Sequence, residues 1–205
     1  MNYFVTAIGT DSGKTVVSSI LCKALQADYW KPVQAGLPRD SETVSQLIGN
    51  GNSKIHPETF FFKTAASPHA AAAVESVVIN LNDFIIPAHK KDLIIEGAGG
   101  LMVPLNDHEF VTDLIRKLDV PVILVSRNTL GSINFSLLTA MACKQKNIPV
   151  IGWIFNDNYL NYEKDIVKWS GIPSLASIPF SPHTDSAFIA EQAAKIRKNM
   201  EAWPW

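Results

Sequence analysis

The sequence predicts an α/β fold, a mostly parallel sheet with helices on both faces. Short runs rich in β-branched residues alternate along the 205-residue chain with stretches of amphipathic helical periodicity. Two of the runs, PVILVS (121–126) and PVIGWIF (149–155), are apolar almost throughout. Such continuous apolar runs are typical of strands that helices cover on both sides, as in parallel sheets.

Six strands and seven helices are predicted. The candidate strands cover residues 3–7, 29–33, 92–97, 121–126, 149–155 and 175–180. The candidate helices cover residues 14–26, 40–48, 67–75, 110–118, 132–146, 161–170 and 186–201. The segments 34–39, 49–56 and 101–109 are expected to be irregular surface loops. No repeat, low-complexity tract or linker interrupts the pattern, so one domain over residues 1–205 is expected.

The composition narrows the classes of function. A hydrophobic content of 47% allows one sizeable core, and the net charge of −1 gives no sign of a nucleic-acid surface. Cys22 and Cys143 are far apart and show no metal-ligand spacing, so reduced thiols are expected. No apolar run reaches the roughly 20 residues that cross a bilayer, and the N-terminus lacks the basic start of a signal peptide. A cytoplasmic protein without membrane contact is expected.

The loop after the first strand ends like a phosphate-binding loop. The pattern G-x-x-x-x-G-K-[ST] is satisfied at its end by Gly13, Lys14 and Thr15. Ile8 stands where the pattern requires its first glycine, and Gly9 comes one position late. The loop nevertheless lies between a predicted strand and an amphipathic helix, which is the context that such a loop requires.

This loop has the chemistry of a nucleotide site. Successive backbone N–H groups and the N-terminus of the following helix form an anion cradle. The Lys14 ammonium can reach the β- and γ-phosphates, and the Thr15 hydroxyl suits Mg²⁺. A glycine turn before an ordinary helix is the alternative interpretation.

Charged residues also follow the next two strands, at the edge where ligands of parallel sheets gather. Lys31 lies near the end of a predicted buried strand, where burial of a lysine costs free energy unless its ammonium pairs with a negative charge. Asp40 begins a predicted helix, and Glu96 ends an apolar strand before the glycines of EGAGG. Taken alone, Lys31 could extend its charge to solvent and Asp40 could be a helix N-cap. Together with Thr15, the two carboxylates would form an all-oxygen site suited to Mg²⁺.

Three later segments add candidates for ligand contacts. Asn156 and Asp157 follow an apolar strand, where an amide could read a base. The SIPF segment ends the last predicted strand. A helix start with free N–H groups could hold an anion, although its serine could simply cap the helix; its residues are Gly131, Ser132, Ile133 and Asn134.

Six segments follow one another along the chain: VTAIGTDSGKT, KPVQAG, SPH, EGAGGLMVPL, PVILVS…LGSIN…LLTA and GWIFND. In their order and spacing they resemble the dethiobiotin synthetase family. The resemblance covers residues 3 to about 180. It implies a P-loop NTPase-like fold with an atypical loop that has extra residues before GKT. An ungapped alignment places the first glycine of the family's loop at Ala7.

The resemblance implies a homodimeric, ATP- and Mg²⁺-dependent ligase that catalyses the penultimate step of biotin biosynthesis. Its substrates would be 7,8-diaminononanoate, CO₂ or bicarbonate, and ATP. One amine would become a carbamate, ATP would phosphorylate it to a carbamic–phosphoric anhydride, and the second amine would close the cyclic urea of dethiobiotin. ADP and phosphate would be released.

The resemblance also implies roles for individual residues. Thr15, Asp40 and Glu96 would bind Mg²⁺, and the catalytic lysines would be Lys14 and Lys31, beside the carbamate and γ-phosphate. The ATP-binding residues would be Asp11, Ser12, Gly13, Lys14, Thr15, Val16, Asp40, Glu96, Gly97, Ala98 and Gly99, with Asn156, Asp157, Ile178, Pro179 and Phe180 at the adenine. The diamine would contact Lys31, Ala35, Ser67 and Pro68, and its carboxylate would bind Gly131, Ser132, Ile133 and Asn134 of the partner subunit.

Two residues depart from the family's pattern. Ala7 replaces the first glycine, so its backbone must avoid positive φ. Ala35 stands where family members often carry Ser or Thr, and the missing hydroxyl removes one hydrogen bond, worth about 1 kcal/mol. We expect activity to survive both changes.

Two other function classes fit part of this pattern. Partitioning-type ATPases share the atypical loop, but they carry a second lysine near its first glycine, which TAIGTDS lacks. The cobyrinate amidation group adds a glutaminase domain, for which 205 residues leave no room. The preference for ATP over other triphosphates stays open.

Overall fold

The computed structural model describes residues 1–49, 53–157, 160–199 and 203. Its main sheet has seven strands, all parallel, in the order β4-β2-β6-β1-β7-β8-β9. These strands are β1 (Asn2–Ala7), β2 (Asp28–Trp30), β4 (Ile55–His56), β6 (Leu93–Gly100), β7 (Val122–Arg127), β8 (Val150–Asn156) and β9 (Ser174–Ile178). A separate parallel pair joins β3 (Val33–Ala35) to β5 (Phe60–Phe62). The predicted α/β fold with a parallel sheet is confirmed.

Helices cover both faces of the main sheet. They are α1 (Lys14–Leu25), α2 (Asp40–Ile48), α3 (Pro68–Val74), α4 (Val111–Leu118), α5 (Ser132–Gln145), α6 (Tyr162–Ser170) and α7 (Ser186–Asn199), with a short 3₁₀ turn, Leu81–Asp83. Residues of α1, α2 and α7 pack in one hydrophobic cluster, and residues of α3 to α6 pack in the other. Along β1, Phe4 enters one cluster and Val5 the other, because successive side chains of a strand point to opposite faces.

The chain near residue 31 differs from the prediction. One strand was expected over 29–33, but β2 ends at Trp30 and β3 begins at Val33 in the other sheet. Pro32 lies between them and has no N–H to donate to a ladder, which explains the break. Two expected loops also differ: segment 34–39 overlaps β3, and segment 49–56 overlaps β4. Residues 50–52 of the second loop lie outside the described residues.

Most other elements occur within one to three residues of the predicted bounds. Helix α2 has the predicted limits, and β6 continues to Gly100, three residues beyond its predicted end. The predicted end of the last helix, residues 200–201, lies outside the described residues. Cys22 and Cys143 are both free and buried. Among the described residues, no helix has both the length and the hydropathy that crossing a bilayer requires.

Candidate active site

The loop between β1 and α1 folds against itself at the carboxyl edge of the sheet. Gly13 has a φ of 85°, a left-handed conformation that favours glycine, and α1 begins directly after it. The Lys14 ammonium donates to the Gly9 carbonyl at 3.1 Å, and the Ser12 hydroxyl donates to the same carbonyl at 3.0 Å. Ala7 lies in β1 and is absent from the positive-φ residues, so the methyl group at the family's glycine position fits without strain.

Glu96 is the centre of the hydrogen-bond network beside this loop. Its side chain is fully buried on β6, and three donors reach it, one from α1, one from β2 and one from the residue directly after β2. The Thr15 hydroxyl and the Lys31 ammonium each donate to its Oε1 at 3.1 Å. The Tyr29 hydroxyl donates to its Oε2 at 3.0 Å. Each buried carboxylate oxygen is therefore partnered, as burial of this charge requires.

Lys31 also pairs with Asp40, 2.6 Å from Nζ to Oδ2. Asp40 is the first residue of α2, and the N-cap is Arg39, so the N-cap interpretation of Asp40 is wrong. The Gln34 side chain performs part of that function, because its Oε1 accepts the Asp40 backbone N–H at 3.1 Å. The Asp40 carboxylate is thus free to face the cavity.

The two lysines have different electrostatic surroundings. Burial alone would lower the pKa of Lys31, but the charges and hydrogen bonds of Glu96 and Asp40 outweigh it and raise that pKa above its ordinary value. Burial lowers the pKa of Lys14 to about 8, helped by the Lys31 charge and opposed by Glu96. Lys31 is therefore a fixed cation, whereas Lys14 has no carboxylate partner among the described residues and is suited to an incoming phosphate.

Thr15, Asp40 and Glu96 fit a divalent cation of the Mg²⁺ type. Their donor atoms are all oxygens. The Lys31 ammonium bonds to both carboxylates, and the Thr15 hydroxyl donates to Glu96. A positive charge already lies between these carboxylates. Three protein ligands leave the remaining positions of an octahedral Mg²⁺ to phosphate oxygens and water, which is the usual arrangement at nucleotide sites.

A cavity of about 770 Å³ opens over this network at the carboxyl edge of the sheet. A second cavity of about 210 Å³ adjoins it on the far side of the loop. The two share Asp11, Gly13 and Arg127 as lining residues, so they form two compartments on either side of the loop. The larger compartment suits a charged triphosphate and a substrate, and the smaller suits one flat ring.

The smaller compartment is assembled from β7, β8 and the segment after β9. The Asn156 amide nitrogen donates to the Ser12 carbonyl at 2.6 Å, which ties the end of β8 to the loop. The Arg127 guanidinium donates to Asp157 at 2.6 Å. Phe180 lines this compartment with an exposed ring. The amide oxygen of Asn156 and its second N–H remain for further hydrogen bonds.

Comparison with known proteins gives a consistent family assignment. A family model described as an AAA domain matches residues 1–187. The ATP-dependent dethiobiotin synthetase BioD of Cytophaga hutchinsonii is 50% identical over 200 residues, which are 96% of this chain and 97% of that protein. The protein of the same name from Christiangramia forsetii is 45% identical over 202 residues, 97% of each chain. The chain belongs to the dethiobiotin synthetase family. It is an ATP-dependent enzyme of dethiobiotin synthesis in the biotin pathway.

Solved structures of lower identity share the fold. A ParA family ATPase from Chlorobium tepidum superposes with a TM-score of 0.60 at 14% identity, covering 94% of this chain and 97% of that one. The cell division ATPase MinD from Pyrococcus furiosus gives a TM-score of 0.61 at 13% identity and covers 98% of both chains. The P-loop NTPase-like architecture that the sequence predicts for the synthetase is thus confirmed, and these neighbours are similar in fold alone.

Most residues that the resemblance assigned to the synthetase site border the two compartments. The larger is lined by Asp11, Gly13, Lys14, Thr15, Lys31, Ala35, Asp40, Ser67, Pro68, Glu96, Ala98 and Gly99. The smaller is lined by Asp11, Ser12, Gly13, Val16, Asn156, Asp157, Ile178, Pro179 and Phe180. Gly97 lines neither, and a Cβ there would meet the Phe4 ring at 2.8 Å, so this glycine serves packing. Gly131, Ser132, Ile133 and Asn134 also line neither.

Three residues at or beside the candidate site were missed by sequence reasoning. Tyr29 bonds Glu96, Gln34 bonds the start of α2, and Arg127 borders both compartments. Arg127 ends an otherwise apolar strand, which is the same signal that singled out Lys31 and Glu96. A tyrosine in a buried strand carries no such signal, because it is typical of a core.

Proposed function

We propose that the enzyme, acting as a single domain in the cytoplasm, converts 7,8-diaminononanoate, CO₂ and ATP to dethiobiotin, ADP and phosphate, with Mg²⁺ as cofactor. One amine takes up CO₂ as a carbamate, and the γ-phosphoryl group of ATP passes to a carbamate oxygen. The second amine then attacks the carbamoyl carbon, closes the cyclic urea and expels phosphate. The observation that carries this proposal is the cavity in which Lys14, Lys31 and three oxygen ligands stand together.

Phosphoryl transfer depends on positioning and charge neutralisation, which is what this cavity offers. The N–H groups at the start of α1 face the phosphates, and Lys14 adds a positive charge beside them. Lys31 lies across the cavity on the side of Asp40 and Glu96, where its ammonium can orient the carbamate oxygens. Bound at Thr15, Asp40 and Glu96, Mg²⁺ would neutralise phosphate charge. The substrate amine is itself the nucleophile, so the protein needs none.

The diamine would lie at the end of the cavity bordered by α3. Ala35, Pro68 and Val103 line this end and suit the hydrocarbon chain of the substrate. The Ser67 hydroxyl bonds to His69 Nδ1 at 3.0 Å, which fixes its direction at the cavity wall. Because Ala35 lacks the hydroxyl that the family resemblance implies at this position, we expect this end to bind the substrate mainly by shape.

We infer that the substrate carboxylate binds across a homodimer interface. The start of α5 lines neither of the two compartments of its own chain, and α5 begins directly after Gly131, which has a φ of 93°. An exposed apolar stripe accompanies it, formed by Leu130, Phe135, Leu138 and Met141. A second copy covering this stripe would bring its own α5 to the cavity. Leu138→Glu should yield monomers by light scattering and raise KM for the diamine.

The test is phosphate release from ATP with Mg²⁺ and bicarbonate, with and without 7,8-diaminononanoate, alongside direct detection of dethiobiotin. We expect release to require the diamine and to match dethiobiotin formed. Lys31→Ala should lower kcat by roughly 10²- to 10³-fold, because one preorganised charge is lost at the reacting group.

Lys195→Ala is the matched control, since Lys195 is an exposed lysine of α7 that pairs only with neighbouring Glu191 in the described structure. It should retain wild-type rates. Thermal unfolding of both variants separates loss of chemistry from loss of fold. Hydrolysis that ignores the diamine and survives Lys31→Ala would contradict the ligase function and favour a nucleotide switch.

A further inference from the structure

We propose that Tyr29 is a positioning residue that fixes the Glu96 carboxylate so that one of its oxygens, Oε1, faces the cation and the nucleotide. This inference rests on the proposed metal site. It assigns a role to a residue that borders neither compartment and that acts on ligands only through Glu96.

The strand pairing places Tyr29 where this contact is possible. In the parallel ladder between β2 and β6, Tyr29 is opposite Ile94. Glu96 lies two residues further along β6, so its side chain points to the same face as Ile94 and Tyr29. The Tyr29 ring packs in the same buried cluster as Ile94, and its hydroxyl emerges from that cluster at Glu96.

The two oxygens of Glu96 have different environments. Oε2 accepts from Tyr29 at 3.0 Å, on the core side. Oε1 accepts from Thr15 and Lys31 at 3.1 Å each, and both of these donors line the larger compartment. A core residue, Tyr29, therefore binds Oε2, whereas Oε1 is on the side of the larger compartment.

This hydrogen bond restricts a torsion that is otherwise soft. The terminal torsion of a glutamate is broad, so an unrestrained carboxylate samples many orientations about its last bond. Glu96 and Tyr29 are both completely buried, so bulk solvent does not reach this hydrogen bond. Without the hydroxyl, Oε2 would lose its partner, and the carboxylate would be held only through Oε1, by Thr15 and Lys31. Groups that orient metal ligands in this way typically contribute about 10- to 100-fold to metal affinity.

The alternative is that the hydroxyl only satisfies a buried carboxylate and contributes to folding. The isosteric variant Tyr29→Phe separates the two roles. Tyr3→Phe is its matched control, because Tyr3 is a buried tyrosine of the same cluster, on β1, whose hydroxyl donates to Met1 Sδ at 3.2 Å. Mn²⁺ is the probe, titrated in the presence of a non-hydrolysable ATP analogue and followed by the electron paramagnetic resonance of the free ion.

We expect Tyr29→Phe to weaken Mn²⁺ binding about tenfold and to raise the Mg²⁺ concentration for half-maximal dethiobiotin formation by a similar factor. Saturating Mg²⁺ should restore most of kcat, because the reacting groups themselves are intact. Tyr3→Phe should leave both quantities unchanged. The melting temperature of each variant without ligand is recorded alongside.

Unchanged Mn²⁺ affinity in Tyr29→Phe with a lowered melting temperature would overturn the positioning role. Glu96→Gln distinguishes this failure from failure of the metal site. If Glu96→Gln loses Mn²⁺ binding while Tyr29→Phe retains it, only the role of Tyr29 is wrong. If Glu96→Gln also binds Mn²⁺ as the wild type does, the proposed metal site and the role of Tyr29 are both wrong.

Discussion

The two compartments are built in different ways; we propose that the larger is the phosphate end and the smaller the base end of the nucleotide site. At the phosphate end, Lys31 and Glu96 are buried and bonded directly to each other, with Asp40 completing the cluster. At the base end, Phe180 is 65% exposed and the Arg127 side chain is 45% exposed. One end is a closed network of charges, whereas the other is an open set of side chains.

This difference suggests how the enzyme divides binding from chemistry. Buried, mutually bonded charges are held in place before the ligand arrives, so they stabilise a developing charge without reorganising. Exposed side chains must be ordered when the base binds, which costs part of the interaction energy. We therefore expect changes at the phosphate end to lower kcat and changes at the base end to raise KM.

Gly13→Ala should have the largest effect, because it damages the junction of the two ends. A Cβ at Gly13 would lie 2.4 Å from the Asn156 amide nitrogen, and the residue has a φ of 85°. We expect ATP binding and turnover to fall by roughly 10²-fold or more, since displacements of about 1 Å at a reacting centre have effects of this size. Gly9→Ala is the control, because its Cβ would meet no heavy atom of the described residues within 4 Å apart from those of residues 8–10. Equal losses of ATP binding and turnover in the two variants would contradict a specific requirement for glycine at position 13.

Changes confined to the base end should have smaller effects. Phe180→Ala removes an exposed ring and should raise KM for ATP by about two- to fivefold with kcat unchanged, because little preorganised contact is lost. Asn156→Ala should raise it further, since it also frees the Ser12 carbonyl of the loop. Steady-state kinetics with varied ATP measures both. A fall in kcat for Phe180→Ala would mean that the base end also positions the phosphates.

The smallest effect concerns the sheet edge behind the phosphate end. On β4, buried His56 lies 3.6 Å from Asp28 of β2, too far for a hydrogen bond. Burial, Lys54 and His89 lower the pKa of His56, and Asp28 opposes them only partly. Because the folded pKa lies below the unfolded value near 6.5, the unfolded state binds more protons in acid.

Stability should therefore fall as the pH drops through 6.5, until the pH reaches the folded pKa of His56. His56→Gln should flatten that part of the profile, measured by urea unfolding between pH 7.5 and about 5. Parallel profiles for wild type and variant would contradict the assignment to His56.

The elements that the sequence predicts well are those whose signal is local. The apolar runs of β7 and β8 are visible because helices cover both faces, and α2 has clear limits. The strands β3, β4 and β5 have two or three residues each, too few to show an alternating pattern. The break between β2 and β3 did have a local signal, Pro32. Its missing N–H argues against a continuous strand more strongly than the apolar residues around it argue for one.

The candidate site shows the same division. The sequence alone predicts that Lys31, Asp40 and Glu96 lie close together, because strand ends of a parallel sheet converge and buried charges need partners. The contact between Tyr29 and Glu96 depends on the register of β2 against β6, which is a pairing between residues 65 or more positions apart. Gln34 bonds Asp40 only because the chain turns sharply after β3. Contacts of this kind follow from the assembled fold and leave no pattern in the sequence.

The division between the two ends is tested most directly by steady-state kinetics of dethiobiotin formation with ATP, GTP and CTP at saturating diamine and Mg²⁺. If the phosphate end carries the chemistry and the base end is open, kcat should agree within about threefold and KM should differ by no more than roughly tenfold. A preference for ATP of about 10³-fold or more, expressed in kcat, would show that base recognition assembles the catalytic groups and would contradict the account.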